Sequence, residues 1–222
     1  MNRTFVLCCV VLMSYGCGKE ATHRGKGVAQ WREALRESDP QARREAAEAL
    51  GKIGPRAKAA LPELAAALKD SDDGLRTQAV IALWAMGPDA RTVVPDLAAV
   101  LRGDKISEVR VNAAGALASV APDGEDVVTP LGEALKDKDS NVRAAAAKAL
   151  MKIGKPATGA VGALAEALKD KDGSVRVAAA YALAEIGRDA RAAVPALQTL
   201  ARSKDRMDHS AAAHALGKIA GE

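Results

Sequence analysis

The sequence predicts an all-α protein, an α-solenoid of about six two-helix repeats, on three observations. The first is a period: Leu50, Leu83, Leu117, Leu150, Leu183 and Leu216 lie 33, 34, 33, 33 and 33 residues apart. Arg43, Arg76, Arg110, Arg143 and Arg176 keep the same beat, with His209 in the sixth place, and Trp31, Leu64, Leu97, Leu131, Leu164 and Leu197 form a third series. The second is composition. Of 222 residues 49% are hydrophobic but only 2% aromatic, so the core must be built from Ala, Leu, Val and Ile, as in alanine-rich helices. The third is punctuation: glycines, with proline close behind, end the long periodic runs, and no segment reads as a strand.

In chain order, residues 1–17 carry one charge, Arg3, then an apolar run from Phe5 to Met13 and small residues around Gly16. That is the pattern of an export signal, too short to span a bilayer. Gly16-Cys17-Gly18 resembles the lipobox of bacterial lipoproteins, although Ser14 stands where that motif carries leucine. The resemblance implies cleavage before Cys17 and lipidation of Cys17, which would make a lipid bilayer one partner and the cell envelope the location, facing the periplasm or the exterior. Gly18 after the cysteine resembles lipoproteins sent on to an outer membrane. An ordinary secretory signal ending near Gly16, or an uncleaved anchor, is the other reading. Residues 18–27, GKEATHRGKG, are polar and glycine-rich and suit a flexible tether. The repeats then occupy 28–222.

Each unit begins with a short helix A, as in PELAAALKD, where Leu64, Ala65 and Leu68 share one face and Pro62 suits the first turn. A longer helix B follows, with Asp39, Asp72, Asp139 and Asp172 as N-caps. Gly54, Gly87, Gly154 and Gly187 suit the left-handed position after helix B, and Pro55, Pro88 or Pro156 prevents continuation. The third unit has one extra residue in RGDKIS, expected between helices. Two helices this short cannot bury their own apolar faces, so each pair must stack on its neighbours.

The recurring D-x-x-V-R-x-x-A-A-x-A-L-x-x-I-G, present as DSNVRAAAAKALMKIG and DGSVRVAAAYALAEIG, resembles HEAT repeats, in particular the short variety associated with phycobilisome lyases. The resemblance covers residues 28–222. It implies an armadillo-like solenoid used for protein binding, with helix B on the concave side, and says little about the partner.

Counting from the repeat arginine at about 100° per residue, positions −1, +3, +6, +7 and +10 share one side of helix B. In the fourth unit these are Val142, Ala146, Ala149, Leu150 and Ile153, the expected core. Positions +1, +5 and +8 face away and carry Ile81, Trp84, Val111, Lys148, Met151, Val177 and Tyr181. Apolar and aromatic side chains on a solvent face mark an interaction site, so these seven residues are the candidate protein-binding surface. In the other reading they fill gaps between repeats. Arg43, Arg76, Arg110, Arg143 and Arg176 are read as a structural ladder reaching acids or carbonyls of a neighbouring unit, in preference to a ligand-binding one.

Other function classes find little support. The net charge of +4, from 32 basic and 28 acidic residues, is spread without a basic stripe, so nucleic acid is not expected as a partner. All three cysteines precede residue 18, which leaves no thiolate metal site or disulfide framework for the repeats. His209 and His214 are five apart, the wrong helical spacing for a metal pair, and read as features of an atypical last unit. There is no His-Glu pair of the kind used by HEAT-like hydroxylases, no legible nucleophile-base arrangement, and no phosphate loop. The expectation is a monomeric, non-enzymatic scaffold or adaptor without cofactors, holding an unidentified protein or peptide. A lyase-like or chaperone-like accessory factor of a chromophore- or cofactor-modifying system is the alternative.

Overall fold

The computed structural model describes residues 22–124 and 126–221. Within them, β1 (Thr22–His23) and β2 (Lys26–Gly27) form a two-residue antiparallel ladder, followed by twelve α-helices in six pairs. The short helices are α1 (Val28–Ala34), α3 (Leu61–Ala67), α5 (Val94–Gly103), α7 (Val128–Ala134), α9 (Val161–Ala167) and α11 (Val194–Leu200). Their longer partners are α2 (Pro40–Ile53), α4 (Asp73–Met86), α6 (Ser107–Val120), α8 (Ser140–Ile153), α10 (Gly173–Ile186) and α12 (Arg206–Ala220). The chain is the expected α-solenoid of six repeats.

Consecutive long helices pack side by side along the whole stack, while the short ones touch one another at few points and are spaced by 3-10 segments. The long-helix layer is therefore the tighter, inner one. The expected core positions of helix B are buried: Val142, Ala146, Ala149, Leu150 and Ile153 in α8, with equivalents in the other units. The buried arc is wider than the sequence reading allowed. Position +4 is fully buried at Ala47, Val80, Ala114, Ala147 and Ala180, because each of these long helices has the next one packed against it. Among the described residues only Ala213 of α12, on which no further described long helix packs, is exposed at that position.

The four aspartate caps hold as expected: the side chains of Asp39, Asp72, Asp139 and Asp172 accept backbone N–H groups of the first turn of α2, α4, α8 and α10. Four other expectations need correction. The glycines after α2, α4, α8 and α10 have φ of 67°, 60°, 69° and 73° but ψ between −139° and −132°, which is not the left-handed helical well. The reversed peptide turns the chain directly into a 3-10 segment, over Gly54–Ala60, Gly87–Val93, Lys155–Ala160 and Gly187–Ala193. The extra residue of the third unit lies inside α5, which runs three residues longer than the seven-residue short helices instead of lengthening a loop. The segment 22–27, expected to be tether, is held by its ladder, by the Trp31 indole N–H donating to His23 O at 3.2 Å, and by Lys26 over the Trp31 ring. That ladder also supplies the strands the sequence did not signal. Cys17 and the signal-like segment lie outside the described residues, and no helix among those described is long and apolar enough to cross a membrane.

Candidate functional site

The repeat arginines lie at the edge of the stack where each short helix turns into its long partner. Arg110 shows the geometry: Nε and Nη2 each donate to Asp137 at 2.8 Å, and Nη1 donates to Asp104 O at 2.7 Å. Arg76 pairs with Asp104, Arg143 with Asp170 and Arg176 with Asp208 in the same two-nitrogen fork. In each case Nη1 also caps carbonyls six residues back in the arginine's own unit, such as Asp70 O for Arg76 and Asp137 O for Arg143. The acids themselves are tied down, since Asp104, Asp137 and Asp170 accept the backbone N–H groups of Ile106, Asp139 and Asp172. Arg43 is the weak member. It reaches Asp70 through one bond of 3.3 Å, and its buried Nε has no partner.

These contacts shift the acids. Burial opposes ionisation of Asp104 and Asp137, but bonds from Arg76 and Arg110 and from backbone N–H groups outweigh it and lower both pKa values. The bond from Arg143 lowers Asp170 in the same way. Asp72, bonded by Arg44 and by the N–H of Leu75, falls to about 2. In Arg76, Arg110, Arg143 and Arg176 the Nε, Nη1 and Nη2 groups all donate to protein oxygens, and the one ladder nitrogen without a partner, Nε of Arg43, is buried, so the arrangement is that of a structural ladder.

The open surface is on the long helices. A hollow of about 540 Å³ lies over α4, α6 and α8, lined by Trp84, Val111, Asn112, Gly115, Lys148 and Lys152 among others. A second, of about 420 Å³, is lined by Met151, Val177, Tyr181 and Met207, and Lys148 and Ser174 border both. Six of the seven candidate residues thus come together along one groove. Ile81 does not line either hollow, although it is 40% exposed on α4.

The aromatic residues also pack. A side-chain carbon at Gly115 would lie 2.5 Å from Cη2 of Trp84, so the indole covers bare backbone of α6 while the residue remains 40% exposed. Tyr181 is half-buried against His214 of α12, their ring centroids 5.5 Å apart. The sequence reading missed Asn112, Lys152 and Met207 as lining residues. They sit at +2, +9 and −2 from the repeat arginine, flanking the positions counted as presented. It also missed Asp208. That residue stands at −1, otherwise an apolar core position from the second unit on, where it is 2% exposed between Arg176 and Ser203. The signal was present: the fifth acid of the Asp70, Asp104, Asp137, Asp170 series is replaced by Ser203. Among the described residues no cluster of three or more His, Cys, Asp or Glu is placed to hold a metal.

No curated protein matches the sequence. Among solved structures, the chain is similar to an engineered protein at 27% identity and TM-score 0.67, covering 87% of this chain and 96% of that one. A second engineered protein matches at 28% identity and TM-score 0.65, over 88% of this chain and 58% of the other. A designed armadillo repeat protein, solved in complex with a (KR)4 peptide, shares the fold at 21% identity and TM-score 0.67, over 87% of this chain and all of the other. The family of HEAT repeats matches residues 28–110, 94–161 and 161–222. With the whole of 28–222 matched and the paired helices found where that match requires them, the chain belongs to the HEAT repeat family.

Proposed function

We propose that this protein is a non-enzymatic scaffold or adaptor at the bacterial cell envelope, which holds a protein or peptide along the face of its long helices. Repeat solenoids of this kind commonly mediate protein–protein interaction. The observation that carries the reading here is the pair of adjoining, mainly apolar hollows lined by Trp84, Val111, Met151, Val177 and Tyr181. They lie on side chains the core does not need at full size, since Ala118 and Ala184 occupy the same helical positions as Trp84 and Met151. Cys17, lipidated, would tether a monomer to the membrane with the repeats free of it.

The test is affinity capture from detergent-solubilised envelopes, comparing the wild type with an Ile81→Asp, Trp84→Ala, Tyr181→Ala variant whose fold is verified by circular dichroism. A partner retained by the first and lost by the second supports the groove. Equal capture by both moves the site elsewhere. Mass spectrometry of the membrane-extracted protein tests the anchor, which requires a mature chain beginning at a lipid-modified Cys17.

A further inference from the structure

Two ammonium groups in the larger hollow have nothing to answer them. Lys148 and Lys152 stand one turn apart on α8, both exposed and both lining the hollow, and neither makes an ion pair or hydrogen bond among the described residues. Some cations elsewhere on the surface do have a carboxylate beside them, Lys52 with Glu48, Lys69 with Asp96, Lys169 with Glu166 and Arg102 with Glu133. No carboxylate lines this hollow, and its other polar residues, Asn112, Asn141 and Ser174, are uncharged. Trp84 and Val111 give it an apolar side. The acids near the adjoining hollow, Asp205 and Asp208, are occupied by the backbone of α12 and by Arg176.

We propose that this hollow takes an extended segment of a partner protein in which two acidic side chains, two residues apart, flank an apolar one. The lysines are spaced about 6 Å along the axis of α8. Side chains two apart on an extended chain are about 6.6 Å apart and share a face. An acid-x-acid segment lying along α8 therefore meets both lysines, with an apolar residue beside it resting against Trp84 and Val111. The carboxylates would supply the charge the hollow lacks and set the register, while the apolar contact supplies most of the affinity. This rests on the reading above that the long-helix face is the binding surface.

The experiment uses the whole chain and three fluorescein-labelled octapeptides in which leucine alternates with aspartate, with serine or with lysine, each titrated by fluorescence anisotropy. The aspartate peptide is expected to bind most tightly, to weaken as salt is raised, and to lose about tenfold in affinity to a Lys148→Glu, Lys152→Glu variant. The same variant should gain affinity for the lysine peptide. A Lys148→Met, Lys152→Met variant should bind the aspartate and serine peptides equally. Equal binding of the aspartate and serine peptides by the wild type would overturn the charge assignment and leave the apolar groove standing. Binding of none of the three would overturn it as well, with envelope capture deciding the groove independently. Sedimentation with phosphatidylserine vesicles that is lost in the glutamate variant, without any peptide preference, would assign the lysines to lipid instead and overturn the proposal.

Discussion

At the scale of single residues, the ladder arginines differ in what they leave behind. Arg110 has a side chain 3% exposed and three strong bonds, so Arg110→Ala strands the Asp137 carboxylate in a largely buried place and removes the donor to Asp104 O. Breaking such a pair from one side costs about 3 kcal/mol, which for a protein of this size lowers the melting temperature by roughly 6–12 °C. Arg43→Ala should cost less, about 1 kcal/mol, because its one bond to Asp70 is long at 3.3 Å and the acid it leaves is more exposed, although the bonds from Nη1 to Glu37 O and Ser38 O are lost as well. Thermal melts of the two variants check the contrast. The lowered pKa values of Asp72, Asp104, Asp137 and Asp170 make these groups more readily ionised folded than unfolded. Their contribution is complete above the ordinary carboxylate range and is lost as pH falls through the depressed folded values, which for Asp72 means between 3.8 and about 2. Stability measured by denaturant titration should be flat from pH 7 to 5 and fall steeply between pH 4 and 2. The arginine series was legible in the sequence because its period is strict, and so was its pairing with neighbouring acids or carbonyls. Asp208 was not, because a buried acid at a core position looks like a surface residue until the missing acid at Ser203 is counted.

At the scale of elements, each unit is a short helix, a long helix and a stiff connection, and the connections set the pitch. The glycine ending α8 holds a φ of 69° with a ψ that side chains disfavour, so Gly154→Ala is expected to destabilise by about 1–3 kcal/mol. Gly115 is different, being an ordinary helical residue that the Trp84 ring needs bare. Gly115→Ala should lift the indole off α6 and shift its fluorescence to the red, with a smaller change in melting temperature. Trp31 is buried and far along the chain, so it provides an unchanged background. Helix identity, caps and order could be read from periodicity and punctuation. The 3-10 segments could not, since GPRAKAA and GPDARTV lack a periodic face of their own and owe their geometry to the helices on either side. The groove was legible for the residues that point straight out. Its flanks depend on how closely adjacent long helices approach, which the small residues permit but do not specify.

At the scale of the whole molecule, no unit has a core of its own, so loss of one must be felt by the next. A protein ending at Ala190 lacks α11 and α12, leaves the face of α10 without a cover, and deprives Arg176 of Asp208. Its unfolding should remain a single transition at a melting temperature more than 10 °C lower, read by circular dichroism. Retention of the full-length melting temperature would mean that the units are independent.

The ladder also gives the stack a direction. Arg43, Arg76, Arg110, Arg143 and Arg176 each take their acid from the unit that follows, 27, 28, 27, 27 and 32 residues further on. A chain made or threaded across a membrane from its amino end therefore carries, at every stage, one guanidinium whose counter-charge has not yet arrived. Each newest unit stays unfinished in this respect until the next supplies its acid, which for Arg176 is Asp208, placed within α12 and bonded by Ser203. Order of emergence and order of stabilisation coincide, so the older units are secured while the younger end stays open for growth.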